Sequence, residues 1–228
     1  QWIDGHEVHT YPTARQPPER TQAYDIVTAA FSVGNPTKPV LIGEMGYHTL
    51  QNTWDPADAV ATKDRLMPRA YLYHWDHGAS GIVNYVMHSS LAGTTWDAPG
   101  TDIEPCFGWL KSSTGQVQKA YTSVKNLFAL LADPGPPFAP DTLSFSVTGS
   151  TTNVQYTLMQ KSSGRFYLSI WVALYADTSR VISITLPATI TQARKARPNT
   201  NQNWATQAIA SNAIATTVDG YVTIFELW

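Results

Sequence analysis

Charge, cysteine and long apolar runs are all scarce in this chain of 228 residues. Charged side chains make up 14% of it, against roughly 25% in an average soluble protein. The formal net charge of −2 gives no electrostatic footprint for nucleic acid or an anionic membrane. A single cysteine, Cys106, excludes an intrachain disulfide and a cysteine-based zinc site. No apolar run approaches about 20 residues, so no transmembrane helix is predicted.

Aromatic residues are plentiful instead, at 11% of the chain, within a hydrophobic total of 43%. That combination excludes intrinsic disorder, which needs few aromatics and a high net charge. Low charge with many Trp, Tyr, Thr, Ser and Asn favours an exported protein, extracellular or periplasmic. The first residues, Gln1-Trp2-Ile3, read as a chain that begins inside a fold.

A proline-rich segment divides the chain. Residues 133–140 contain four Pro in eight residues, which neither a helix nor a central strand accepts. The runs after it are rich in β-branched and aromatic residues and are separated by turn residues, which predicts an antiparallel β-sandwich. We therefore expect a catalytic-type domain over 1–133, a linker over 134–140 and a sandwich over 141–228. The predicted sandwich strands are 142–147, 153–160, 165–174, 180–186, 213–218 and 221–227.

Before the linker, predicted strands alternate with predicted helices. The strands are 2–10, 38–44 and 79–89, and the helices are 19–32, 56–78 and 119–132. This order indicates parallel βαβ units, so the fold class is α/β plus all-β. Three strands are too few for a closed barrel, which takes eight βα units. The domain is therefore either a small open sheet or part of a barrel.

Glu44 is the most informative candidate, because it ends an apolar strand and has a glycine on its amino side, Gly43. Strict alternation places it on the same face as Val40 and Ile42. In barrels, residues at the carboxyl ends of strands face the active site. The alternative interpretation is a helix-capping or salt-bridged glutamate in a loop.

His9 and Tyr11 share one face of the first strand with Glu7. A histidine and a tyrosine at a strand end can hydrogen-bond a carboxylate and orient it. For Glu7 the alternative is a structural polar residue at the rim. His6 and His9 lie on opposite faces of a strand, so we predict no metal site here.

A loop longer than usual follows the third strand and carries Trp96, Asp97, Glu104 and Trp109. Exposed indole rings offer flat apolar faces on which a sugar can stack. The alternative is that these rings pack the loop against its own scaffold.

The segments HTYP (9–12), KPVLIGEMGY (38–47) and FGWL (107–110) resemble the last strands of cellulase-like, clan A retaining glycoside hydrolases. The resemblance implies a partial barrel, or half-barrel, of strands six to eight that hydrolyses β-linked glycans without a cofactor. It implies Glu44 as nucleophile, with His9 and Tyr11 beside it. The substrate-binding rings would be Trp96, Trp109 and Tyr47.

The family's acid/base is a glutamate after strand four, usually in an Asn-Glu pair, and this sequence contains no Asn-Glu pair. The acid would then come from a partner carrying a missing N-terminal half, from a second copy, or from Glu7, Asp97 or Glu104. A non-catalytic carbohydrate-binding protein and a vestigial fragment are the alternatives. Self-association is expected in each case, because three parallel strands cannot cover both sheet edges.

Overall fold

The computed structural model describes residues 5–12, 16–20, 39–49, 59–88, 104–110 and 114–228. These residues pack into two compact units, 1–121 and 122–228. The predicted domain limits at 133 and 141 stay a prediction. Within the described ranges, helices are too short or too polar to span a membrane.

The first unit contains a three-stranded parallel sheet in the order β1-β2-β3, which agrees with the predicted α/β character. Its described strands do not close into a barrel, and the predicted helix 19–32 lies largely outside the described residues. A crossover helix joins β2 to β3, as parallel neighbours require. The elements are β1 (His6–Thr10), β2 (Val40–Met45), α1 (Ala59–Asp76) and β3 (Ala79–Asn84), with 3-10 helices at Pro18–Arg20 and Glu104–Phe107.

The two faces of this sheet differ. One face is buried, and α1 contacts β3. On the other, which we call the open face, Leu41 is 41% and Val83 is 50% exposed. The buried apolar residues of the sheet and of α1 include Val8, Val40, Ile42, Met45, Leu66, Met67 and Ala70.

An irregularity near the end of β2 decides where Glu44 lies. Pairing shifts register between Val8 and His9 on β1, so that His9 pairs with Glu44. Val40 and Ile42 are buried, whereas the Glu44 side chain is 36% exposed. The prediction that Glu44 shares their face was therefore wrong. A bulge adds one residue and reverses which face the following side chains take.

The second unit is a β-sandwich, as predicted. A three-stranded antiparallel sheet, β10-β7-β4, and a five-stranded one, β5-β6-β11-β8-β9, enclose one apolar core. Helix α2 (Lys119–Leu131) precedes it. The strands are β4 (Ser146–Gly149), β5 (Val154–Gln160), β6 (Phe166–Val172), β7 (Arg180–Thr185), β8 (Ala193–Ala196), β9 (Ala205–Gln207), β10 (Ala213–Val218) and β11 (Thr223–Leu227).

Two turn-like segments of the sandwich, 162–164 and 219–220, differ in whether they form hairpins. Gly164 adopts φ +81° in the hairpin between β5 and β6, where Ser162-Ser163-Gly164 is predicted to turn. Asp219-Gly220 has a sequence typical of a hairpin turn, but it forms no hairpin. It joins β10 to β11, which belong to different sheets. Asp219 there accepts two hydrogen bonds from Arg197, at 2.6 and 2.7 Å.

Candidate functional site

The carboxyl ends of β1 and β2 bring a carboxylate, a phenol and an imidazole together. The Tyr11 hydroxyl donates to Oε2 of Glu44 at 2.6 Å. The same oxygen lies 3.3 Å from Nδ1 of His9. Both contacts fall on Oε2, so the Glu44 carboxylate is held at one oxygen. The three residues that the resemblance singles out as catalytic therefore meet in space.

Glu7 lies on the other side of the histidine ring. Its Oε1 is 3.3 Å from Nε2 of His9, and its side chain is 61% exposed. The Glu7 carboxylate passes directly over Gly43, where an added Cβ would lie 1.9 Å from Oε1. The imidazole therefore stands between the carboxylates of Glu7 and Glu44.

Three aromatic rings form a wall beside Glu44. Tyr11 packs edge-on against Phe107 at 5.4 Å and against Tyr85 at 6.2 Å between ring centroids. Tyr85 and Phe107 are 5.7 Å apart in the same edge-on manner. Sequence reasoning missed Tyr85 and Phe107 as site residues. Their only signals in the sequence were that Tyr85 lies in the predicted strand 79–89 and that Phe107 lies in the segment FGWL.

Gly46 allows this wall to form. A Cβ on Gly46 would lie 2.4 Å from the Tyr85 carbonyl oxygen and 3.0 Å from Cδ1 of Phe107. The Tyr85 amide donates to the Met45 carbonyl at 2.8 Å, which fixes the approaching backbone. Glycine at this position is therefore a requirement of the close contact between β2 and the segment after β3.

His48 lies on the other side of Phe107, with the ring centroids 5.5 Å apart. Burial and the neighbouring Lys63 ammonium lower the pKa of His48 to about 4. The imidazole is therefore neutral at physiological pH, and it adds no charge to the aromatic wall.

Two of the predicted sugar-binding rings are buried. Trp109 is 6% exposed, and its indole Nε1 donates to the Asn84 side chain at 2.8 Å. The Asn84 amide is oriented so that both its oxygen and its nitrogen form hydrogen bonds. Tyr47 is 2% exposed, and its hydroxyl donates to the Gln16 carbonyl at 3.2 Å. A buried ring presents no face to a sugar, so neither ring enters the site proposed below.

The remaining candidates are placed only in part. Trp96 and Asp97 lie outside the described residues. Glu104 begins the 3-10 helix Glu104–Phe107, and its side chain is also outside them. Among the residues that the structure describes, no group of three His, Cys, Asp or Glu is placed to hold a metal ion.

A cavity of about 410 Å³ opens beside Glu7 on the sheet. It lies at the amino ends of the three strands, and Glu7 both lines it and contacts His9 of the cluster. Its lining residues are Gly5, His6, Glu7, Pro39, Leu41, Ser80 and Gly81.

Solved structures similar to this chain are glycoside hydrolases. A family 39 glycoside hydrolase from Bacteroides cellulosilyticus WH2 matches 99% of this chain with a TM-score of 0.66 at 15% identity. A bifunctional glucanase-xylanase, CelM2, from a metagenome library matches 99% with a TM-score of 0.55 at 13% identity. The chain has a glycoside hydrolase-like fold. It spans 44% and 43% of the length of those two proteins.

No protein-family model matches this sequence, and no curated protein does. At such low identity the structural likeness shows the fold alone. It agrees with the resemblance at that level, and the substrate and the roles of individual residues are matters for the proposal that follows.

Proposed function

We propose that this chain is the C-terminal half of a retaining glycoside hydrolase that acts on β-linked glycans, with Glu44 as its nucleophile. The observation that carries the proposal is the contact of Tyr11 and His9 with one oxygen of Glu44 at the carboxyl end of β2. The glycoside hydrolase-like fold supports it. The strands β1 to β3 would be strands six to eight of a (β/α)8 barrel.

The geometry suggests how the nucleophile works. Tyr11 and His9 hold Oε2, which leaves Oε1 of Glu44 to attack the anomeric carbon of the sugar. A bond forms from Oε1 to that carbon while the bond to the leaving oxygen breaks, giving a glycosyl-enzyme. Water then attacks the same carbon and gives its proton to the group that protonated the leaving oxygen, and the carboxylate of Glu44 is released. Tyr11 and His9 keep the carboxylate from turning during both steps.

A second carboxyl group must protonate the leaving oxygen. In retaining enzymes it lies about 5–5.5 Å from the nucleophile, across the space that the sugar occupies. Glu7 is poorly placed for this, because the His9 ring stands between it and Glu44. Asp97 and Glu104 stay candidates from the sequence alone.

We therefore propose that a missing N-terminal half supplies the acid, carried by the same protein or by a partner. The chain spans under half the length of its two structural neighbours. Its open face exposes Leu41 and Val83, the kind of apolar surface that the interior of a barrel buries. Export from the cell and self-association of this half remain proposals that only the composition and the unpaired edges favour.

Hydrolysis of dinitrophenyl β-glycosides tests the nucleophile separately from the acid, because this leaving group departs without a proton. We expect slow turnover by wild type and a loss of at least about 100-fold in Glu44→Gln. Glu7→Gln is the matched control, a more exposed carboxylate on the other nitrogen of His9, and it should keep turnover within about threefold of wild type.

The outcomes separate the alternatives. Mass spectrometry of wild type with a slow 2-fluoro β-glycoside should show a covalent adduct on Glu44. Equal loss in both variants would mean that His9 rather than Glu44 matters. No turnover and no adduct in wild type would contradict a working nucleophile and favour a binding or vestigial fragment.

A further inference from the structure

Lys63 is a buried cation that the proposed reaction does not use. It lies on α1 and is 1% exposed, and its ammonium donates to the carbonyls of Phe107 at 2.6 Å and Gly108 at 3.3 Å. Burying an ammonium against neutral carbonyls is unfavourable. Burial lowers the pKa of Lys63 to about 7, although nearby Cys106 acts in the opposite direction.

Those two carbonyls belong to the segment that supports the aromatic wall. The Phe107 ring touches Tyr11, and it also fills the space beside Gly46. Two residues further on, the Trp109 amide donates to the carbonyls of Val86 and Met87 at 3.2 and 3.0 Å. The segment is therefore held on one side by α1 and on the other by the chain that follows β3.

A chain of contacts connects Lys63 to the proposed nucleophile. Lys63 fixes the backbone of Phe107, the Phe107 ring sets the position of the Tyr11 ring, and the Tyr11 hydroxyl holds Glu44. We propose that Lys63 is a positioning residue that, through Phe107 and Tyr11, sets the orientation of the Glu44 carboxylate. This inference rests on the proposed function for its catalytic consequence, but the contacts themselves can be tested without turnover.

The decisive variant is Lys63→Met, which keeps most of the buried volume and removes the N–H donors. Arg65→Met is the matched control. Arg65 is also buried on α1 at 2% exposure, and its guanidinium donates to Thr62 of the same helix at 3.3 Å. Both variants remove one buried cation from the same helix; Lys63 donates to the Phe107 segment, whereas Arg65 donates to Thr62 of its own helix.

The first readout is the ¹⁹F resonance of 3-fluorotyrosine placed at Tyr11. Glu44→Gln serves as the reference, because it changes the hydrogen-bond partner of the Tyr11 hydroxyl and so gives the direction of the ¹⁹F chemical-shift change. We expect Lys63→Met to move the resonance in the same direction and Arg65→Met to leave it in place. Phe107→Leu, which keeps Lys63, should reproduce the effect of Lys63→Met and serves if that variant does not fold.

The second readout is hydrolysis of the dinitrophenyl glycoside. Lys63→Met should lower kcat about tenfold with KM within about twofold, because the substrate still binds but the carboxylate is misplaced. An unchanged fluorine resonance in folded Lys63→Met would overturn the inference. If wild type shows no turnover, the proposed function fails, and the fluorine result still decides whether Lys63 positions Tyr11.

Discussion

The two units use polar groups in opposite ways. In the sandwich, the buried carboxylate of Glu226 accepts from Tyr167 at 2.5 Å, from Arg165 at 3.2 Å and from the Nε of Arg194. These contacts join three neighbouring strands of the five-stranded sheet over a closed apolar core. In the first unit, Glu44 and Glu7 stand half-exposed on the open face of a sheet with one buried side.

The comparison indicates where stability and chemistry lie. A carboxylate surrounded by donors and excluded from water stabilises the fold but cannot reach a substrate. A carboxylate at a strand end, held at one oxygen and accessible at the other, contributes little to stability and can react. Four predictions test this difference, and all can be followed by urea unfolding and by hydrogen exchange of peptides from each unit.

The largest effect should come from pH acting on Lys63. Its pKa is about 7 in the folded chain and near 10.5 when exposed, so the unfolded state binds the extra proton between these values. Stability should therefore rise with pH above about 7, by about 1.4 kcal/mol per pH unit and about 3 kcal/mol by pH 9. In Lys63→Met this slope should disappear. Equal slopes in both proteins would show that Lys63 stays charged.

Glu226→Ala should destabilise the sandwich by about 2–3 kcal/mol. The buried Tyr167 hydroxyl would lose its acceptor, whereas Arg165 and Arg194 are exposed enough to reach water, which limits the loss. Exchange should rise in peptides covering β6 and β11. Glu226→Gln keeps an acceptor and should lose less. Glu44→Gln should change stability by under about 0.5 kcal/mol, and a large loss there would break the comparison.

Two glycines on β2 and just after it form a matched pair. Gly46→Ala should cost about 2 kcal/mol, since its Cβ would lie 2.4 Å from a backbone oxygen of Tyr85 that cannot swing away. Gly43→Ala should cost under about 1 kcal/mol, because all the atoms it meets belong to the exposed Glu7 side chain, which can turn away. Thermal unfolding of the two variants measures the difference, and equal losses would contradict this geometry.

The smallest effect should appear in mild acid. Burial lowers the pKa of His74 to about 4, from 6.5 when exposed, so the unfolded state takes up the proton first as pH falls. His74 should cost the first unit about 1 kcal/mol between pH 6 and pH 5, and His48, with a pKa also near 4, adds a loss in the same direction. His74→Gln should remove the part due to His74. The pKa of Glu226 is lowered, despite its burial, by hydrogen bonds from Arg194, Tyr167 and Arg165. The contribution of Glu226 to the sandwich should therefore persist until pH falls below about 4.5.

Much of the sandwich follows from local pattern. β-branched and aromatic runs predicted β5, β6, β7, β10 and β11 close to their observed limits, because their side chains alternate and glycine-containing turns separate several of them. The strands β8 and β9, of four and three residues, escaped prediction. Runs that short carry too few residues for a period to be visible. Pairing defines them instead, of β8 with β11 and of β9 with β8.

Sequence alone also picked out the residues that meet at the strand ends. Glu44 at the end of an apolar strand, and His9 with Tyr11 at the end of another, are visible as a pattern, since the carboxyl ends of parallel strands meet at one edge of a sheet. The β–α order before the linker likewise follows from composition and spacing.

Tertiary structure decided the strand register, the burial of individual rings and the contacts between residues far apart in sequence. The register shift between β1 and β2 turned Glu44 away from the face that alternation assigns, and no local rule predicts such a shift. Burial of Trp109 and Tyr47, and the contact of Lys63 with Phe107, depend on segments more than 20 residues apart in sequence. Side-chain identity and spacing set what each residue can do, and packing across the sheet determined which residues meet.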